Sequence, residues 1–453
     1  MGISDIIARQ REFYSSGATR PLQFRMSALK SLRDSLIKNE SLIFDALYKD
    51  LGKHPMESYI SETGMVQGEI KYQLRRLPGW MRAKRVKTPL AQFHARSFIS
   101  PEPYGVALVM SPWNYPVQLS LSPVIGAVAA GNCVVVKPSA YTPETSHAIA
   151  KVIGGAFDPA HVAIVEGGRE ENKSLLNEVF DYIFFTGSVA VGKTVMEAAA
   201  KNLTPLTLEL GGKSPVIVDA SANIKLAARR IAFGKVLNSG QTCVAPDYLL
   251  IDERVLDVFI AEYKKALEEF FPGGDMSKMT VMVNEKHFRR VAGLIDGQTA
   301  AIGGGSDPER LFIEPALLVD VNQDSPIMSE EIFGPVLPVL TFKELDECIR
   351  LITSRPKPLA LYLFTSDRAA EKYILDRCSF GGGCINDTII HLATQHMSFG
   401  GVGESGMGSY HGKRSFDTFT HYRSIVKKST WLDLKLRYHP YTDANLKIIR
   451  KAL

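Results

Sequence analysis

From Gly105 to Thr365 short apolar runs alternate with stretches of helical period, and this alternation limits the possible folds more than any single residue does. The first runs are 106–110, 134–136, 162–165 and 182–185. Short runs separated by helical segments predict βαβ units, a parallel sheet with helices on both faces. After Thr207-Leu208-Glu209-Leu210-Gly211-Gly212 the pattern restarts, with runs at 216–218 and 248–251, helices at 224–237 and to about 270, and further runs at 313–319, 336–342 and 360–365. The expected class is therefore α/β, with two doubly wound, Rossmann-like parallel-sheet domains. A length of 453 residues agrees, since one core rarely grows that large.

The flanks differ. Leu22, Met26, Leu29, Leu36, Ile43, Leu47 and Leu51 keep one face apolar on a helical period, and Gly52 supplies the stop. Residues 75–87 are basic and interrupted by proline, residues 93–99 read as an extended arm, and residues 416–429 read as a strand able to pair with it. The expected division is a dinucleotide-binding domain at 1–80 and 104–210, a catalytic domain at 211–412, and an arm with C-terminal tail at 81–103 and 413–453.

Composition excludes several functions. The net charge of +5 is spread without a run of five basic residues, so no nucleic-acid partner is expected. Residues 103–136 carry no charge but are broken by Pro112, Pro116 and Pro123, whereas a spanning helix needs about 20 consecutive apolar residues. No lipidation pattern is present, so no membrane anchor is expected. Five cysteines without a CxxC pair fit a reducing cytoplasm, with Cys378 and Cys384 read as structural. The ten histidines form no HExxH, so no metal is expected.

Ligands of parallel α/β sheets bind outside the carboxyl ends of the strands. That rule selects the loops Ser111-Pro112-Trp113-Asn114-Tyr115-Pro116, Lys137-Pro138-Ser139, Glu166-Gly167-Gly168 and Thr186-Gly187-Ser188. The run from Gly187 to Thr194 matches the phosphate-loop pattern GxxxxGK[ST], with Val216-Ile217-Val218-Asp219 available as a Mg²⁺-binding strand. One reading is a P-loop nucleoside triphosphatase or kinase; the other is a dinucleotide pyrophosphate on a helix N-terminus, for which Gly187 and Gly192 would allow close approach. Cys243 follows Gly240-Gln241-Thr242 between a helical run and a strand. Alone, it reads more readily as an inert buried thiol than as a nucleophile. Glu209 closes an apolar strand, where it is either an exposed strand-end carboxylate, the commoner case, or, with a raised pKa, a general base. Asn114, between two aromatic residues and two prolines, is either a turn former or a preorganised oxyanion donor.

Together, Ser111 to Pro116, Lys137-Pro138-Ser139, Phe185-Thr186-Gly187-Ser188, Leu208-Glu209-Leu210-Gly211-Gly212-Lys213, Gly240-Gln241-Thr242-Cys243 and Glu331-Ile332-Phe333-Gly334-Pro335 resemble the aldehyde dehydrogenase superfamily in content and order. The segments Pro246-Asp247-Tyr248, Gly408 to Lys413 and Phe416 to His421 resemble class 3 in particular. The resemblance implies oxidation of a small-molecule aldehyde with NAD or NADP. Cys243 would be the nucleophile, Asn114 the oxyanion donor and Glu209 the base that activates water. It also implies that Lys137 meets the adenosine ribose, that Gly187, Ser188 and Gly192 form the pyrophosphate and nicotinamide loop, and that Glu331 and Phe333 contact the nicotinamide ribose and ring. Phe399 and Tyr115 would line the substrate path, and the class 3 likeness implies a homodimer. Many members have a glutamate three residues after the lysine; here the residue is Ala140, so NADP is expected to be tolerated beside NAD.

Overall fold

In the computed structural model, which describes residues 2–452, the first sheet has six strands. Five are parallel, ordered Leu206–Glu209, Tyr182–Thr186, Val106–Met110, Cys133–Lys137, Val162–Ile164. Sequence order reverses between Val106–Met110 and Tyr182–Thr186, which opens a crevice at their carboxyl ends. Strand Val106–Met110 is buried at every residue because helix Pro116–Ala130 covers one face and helix Ile3–Ser15 packs on the other. Helix Pro116–Ala130 is itself buried throughout, which accounts for the charge-free stretch without a membrane.

The second sheet has seven strands, ordered Thr299–Ile302, Ala316–Val319, Val336–Phe342, Tyr248–Asp252, Pro215–Val218, Ala360–Phe364, Gly382–Ile385. Only the edge strand Thr299–Ile302 runs antiparallel. Two doubly wound sheets were expected, and two are present. A third sheet joins Lys84–Val86, Ala95–Pro103 and Thr420–Lys428. Its long pair runs in register from Thr420 opposite Pro103 to Lys428 opposite Ala95, so the tail does pair with the arm.

Some boundaries fall elsewhere than expected. The single helical opening is two helices, Leu22–Lys38 and Glu40–Leu51, divided at Asn39, and Gly52 ends the second in the left-handed region. Helix Gly64–Trp80 continues through Pro78, so the proline interruption ends nothing. Gly406–Met407, assigned to the second unit, pair antiparallel with Leu208 and Glu209 of the first sheet. Helix Lys413–Thr418, assigned to the arm, buries Phe416 and packs on helix Pro116–Ala130, and the following Phe419 carbonyl accepts from Asn132 Nδ2 at 2.9 Å. No helix among the described residues is long and apolar enough to cross a membrane.

Candidate active site

A cavity of about 590 Å³ lies at the carboxyl end of the first sheet. It brings together Asn114, Gly187, Ser188, Glu209, Cys243, Glu331, Phe333 and Phe399. Another cavity of equal volume lies between the arm and helix Asp443–Ala452; it holds none of these residues.

Cys243 is carried by a loop with strained backbone. Asn238, Ser239 and Gly240 are all left-handed, with φ of 51°, 51° and 66°. At Gly240 a side chain would overlap the Gly334 carbonyl, so glycine is required by space as well as by φ. Strain of this kind persists only where neighbours fix it. Here Gln241 donates through Nε2 to the Asn238 and Val281 carbonyls, and its Oε1 accepts the Val283 N–H at 3.1 Å. The thiol is half-buried. Burial and the nearby Glu331 and Glu209 carboxylates push its pKa up, against a smaller pull from the Cys243 and Val244 N–H groups.

Glu209 closes strand Leu206–Glu209 and is 2% exposed. Neither carboxylate oxygen has a hydrogen-bond partner. Burial alone therefore holds its pKa well above the ordinary carboxylate value. Asn114 is 3% exposed, and its Nδ2 donates to the Gln241 carbonyl at 3.0 Å. An amide nitrogen carries two protons, so this bond anchors the group beside the cysteine loop and leaves the second N–H to donate.

Ser188 caps helix Val189–Ala200, its Oγ accepting from the Val191 N–H at 3.4 Å. A Cβ at Gly187 would stand 2.6 Å from the Phe185 ring, and one at Gly192 would stand 2.7 Å from Leu210. Both glycines therefore allow close packing under this helix end. Phe333 is left-handed, with φ of 51°, and meets Trp113 edge-on at 5.4 Å. Glu331 is pushed up to about 8, chiefly by burial and then by Asp247. Its Oε1 has no partner, and neither does the buried Thr186 Oγ1 on the same cavity wall.

Three of the expected site residues stand off the cavity wall. Tyr115 does not line the cavity; it is buried under the cysteine loop with its hydroxyl 2.6 Å from Thr242 Oγ1. Lys137 also lies off the cavity, and Nζ donates to the Pro138 and Gly167 carbonyls, both at 2.7 Å. Gly192 sits one turn into its helix rather than on the wall. The phosphate-loop reading fails on geometry. The helix already begins at Val189, so Gly187 and Ser188 alone form the loop, and Lys193 is exposed beside Glu404. Asp219 belongs to the other sheet's end, where its Oδ1 accepts from Ser221.

Sequence reasoning did not nominate Trp113, Leu119, His287 or Tyr410, which also line the cavity. Tyr410 could have been suspected, because it stands in the glycine-rich stretch after Phe399, and the two pair backbone to backbone at 2.8 and 2.9 Å. His287 gave no signal; it reaches the site by packing on Trp113 at 5.0 Å.

A model of the aldehyde dehydrogenase family matches residues 3–425. The 4,4'-diaponeurosporen-aldehyde dehydrogenase of Staphylococcus aureus (strain NCTC 8325 / PS 47) is 48% identical over 435 residues, 95% of each chain. A dimeric, NADP-preferring aldehyde dehydrogenase of Canis lupus familiaris is 44% identical over 444 residues, 97% of this chain and 98% of its own. Among solved structures, the substrate-bound state of Staphylococcus aureus AldH matches with a TM-score of 0.97 at 47% identity, covering 100% of this chain and 99% of that one. The family match spans both sheets and every motif that carried the resemblance. The chain thus belongs to the aldehyde dehydrogenase family and is an NAD(P)-dependent aldehyde dehydrogenase.

Proposed function

We propose that the protein oxidises an aldehyde to a carboxylic acid through a covalent adduct on Cys243, hydrolysed with Glu209 as general base. The observation that carries this reading is the Glu209 carboxyl, buried and without any partner, in the same cavity as the thiol. A structural carboxylate would be hydrogen-bonded, because an unpaired one is costly to bury. Proton abstraction gives this one a use.

In this reading the Cys243 thiol releases its proton to solvent and the sulfur attacks the aldehyde carbon. The oxyanion of the resulting thiohemiacetal is held by the free Asn114 Nδ2–H and the Cys243 N–H. NAD(P), when bound, supplies the acceptor for the hydride that leaves this carbon, and a thioester remains on Cys243. Glu209 then takes a proton from water, whose oxygen attacks the thioester carbonyl; the acid departs and sulfur regains its proton. Trp113, Leu119 and Phe399 exclude bulk water from the other walls and favour an apolar aldehyde.

The residues present fit the cofactor. The N–H groups of the first turn of helix Val189–Ala200 suit a pyrophosphate. The unpartnered Thr186 Oγ1 and Glu331 Oε1 offer polar contacts to a nicotinamide and its ribose, with Phe333 against the ring. Lys137, at the end of strand Cys133–Lys137, would meet the adenosine ribose. Domains at 1–80 and 104–210 for cofactor and at 211–412 for catalysis remain the working division, with Gly406–Met407 crossing back. The arm sheet supports a homodimer, and the likeness to a relative named as dimeric agrees. Five unpaired thiols support a cytoplasmic setting.

The direct test is oxidation of an aliphatic and aromatic aldehyde panel, with and without CoA. Free acid formed at the same rate in both is expected; an absolute need for CoA would remove the role of Glu209. Cofactor choice supplies a separate prediction. Ala140 is exposed and places no carboxylate where a 2′-phosphate would come, so kcat/KM for NAD and NADP should agree within about ten-fold, less than the repulsion of one close charge pair would impose. A preference for NAD well beyond that range contradicts it.

A further inference from the structure

Three charged side chains from a short N-terminal segment stand beside the site without a part in the chemistry above. Glu57 lies in helix Pro55–Ser58 and Glu62 in the π-helical turn Tyr59–Thr63, while Lys53 precedes both. Single π turns of this kind collect at functional sites. Lys53 and Glu62 are both fully buried and paired at 2.8 Å. Removing two charges from water costs more than their attraction returns unless further hydrogen bonds use them.

Those further bonds converge on Asn114. Lys53 Nζ donates to the Asn114 backbone carbonyl at 3.2 Å and stands 4.4 Å from the centre of the Tyr115 ring. Glu62 Oε2 accepts the Val117 and Gln118 N–H groups, both at 2.9 Å, at the first turn of helix Pro116–Ala130. The ion pair therefore grips the chain on both sides of Tyr115. Asn238 Nδ2 donates to the same Asn114 carbonyl at 2.8 Å and to the Gln241 carbonyl at 3.0 Å. Glu57 Oε1 in turn accepts the Asn238 N–H at 2.8 Å. One segment thus ties the oxyanion donor to the loop that carries the nucleophile.

We infer that the Lys53–Glu62 pair, with Glu57 behind Asn238, positions Asn114 for the oxyanion. It fixes the Asn114 peptide so that the side-chain N–H not used by Gln241 meets the developing charge. This rests on Asn114 being the oxyanion donor.

Two reactions of Cys243 in the full-length protein separate positioning from folding. Acylation by p-nitrophenyl acetate forms a carbon–sulfur bond through a tetrahedral oxyanion and expels p-nitrophenolate. Alkylation by iodoacetamide forms a carbon–sulfur bond by direct displacement of iodide, with no oxyanion. The double variant Lys53→Met/Glu62→Gln removes both charges and keeps an acceptor for Val117 and Gln118. Its acylation rate and kcat are expected to fall on the order of 10- to 100-fold, the scale of a misplaced oxyanion donor, with alkylation and cofactor KM within about two-fold of the parent. Where the double variant does not accumulate folded, Glu62→Gln alone is read, and the same split is expected at roughly three- to ten-fold. A folded variant with unchanged acylation, or an equal fall in both reactions, overturns the inference. Asn114→Ala separates the two claims. If it leaves acylation unchanged, the oxyanion role itself falls. If it slows acylation while the charge variants do not, only the positioning role falls.

Discussion

Replacing Cys243 by alanine is expected to lower kcat for aldehyde oxidation by on the order of 10⁴-fold or more, because it removes the one thiol among the described residues that line the cavity. Cofactor affinity should stay near that of the parent, since the residues proposed to hold it are untouched. Burial, and then the Glu331 and Glu209 carboxylates, push the Cys243 thiol up. Cys384 is the natural control. It is half-buried as well, with Sγ 3.6 Å from His391 Nδ1, and burial pushes its thiol up too. It does not line the cavity, and Cys384→Ala should leave kcat within about two-fold, as removal of a group outside a reacting unit does. Initial rates of NAD(P)H formation for the two variants check both statements.

Glu209→Gln is expected to lower steady-state turnover by about 10²- to 10⁴-fold, the usual worth of a positioned general base. The first turnover should survive, giving a burst of NAD(P)H stoichiometric with active sites, because Glu209 is assigned to hydrolysis. The pH dependence follows from the sign of the shift. Burial holds the Glu209 carboxyl protonated well above its ordinary range, and only the ionised form can accept a proton. Turnover of the parent should therefore rise with pH until that raised pKa is passed, and the variant should lack the rise. Stability carries the opposite sign. A carboxyl whose folded pKa lies above the unfolded one stabilises the fold least at high pH, losing ground from the unfolded pKa upward. The Tm of Glu209→Gln relative to the parent should accordingly increase with pH over that window. A variant with full turnover, or a burst that vanishes along with turnover, contradicts the assignment.

Much of this site was legible because parallel α/β sheets bring the carboxyl ends of distant strands together. Asn114, Gly187 and Glu209 follow or close three strands of one sheet, so their convergence follows from the alternation of apolar runs. Cys243 was legible as a motif but not as a geometry. Its loop depends on successive left-handed residues, two of them not glycine, which no periodicity announces. The direction of Tyr115 was equally hidden. It follows Asn114 in sequence, yet one side chain reaches the cavity and the other turns beneath the loop, a choice made by backbone torsion. Gly406–Met407 forms a two-residue strand with no apolar run to reveal it. Lys53, Glu57 and Glu62 look like a solvated helix face in sequence. Only the packing of that segment under helix Pro116–Ala130 buries the charges and gives them partners.

The proposed reaction runs through a covalent acyl intermediate on Cys243 that Glu209 helps water to remove. Its most direct test is mass spectrometry of Glu209→Gln after acid quench of a single turnover with aldehyde and NAD(P). A mass increase equal to the acyl group is expected, carried by the peptide that contains Cys243. An unmodified protein after a full burst, or an acyl group on any other residue, would contradict it.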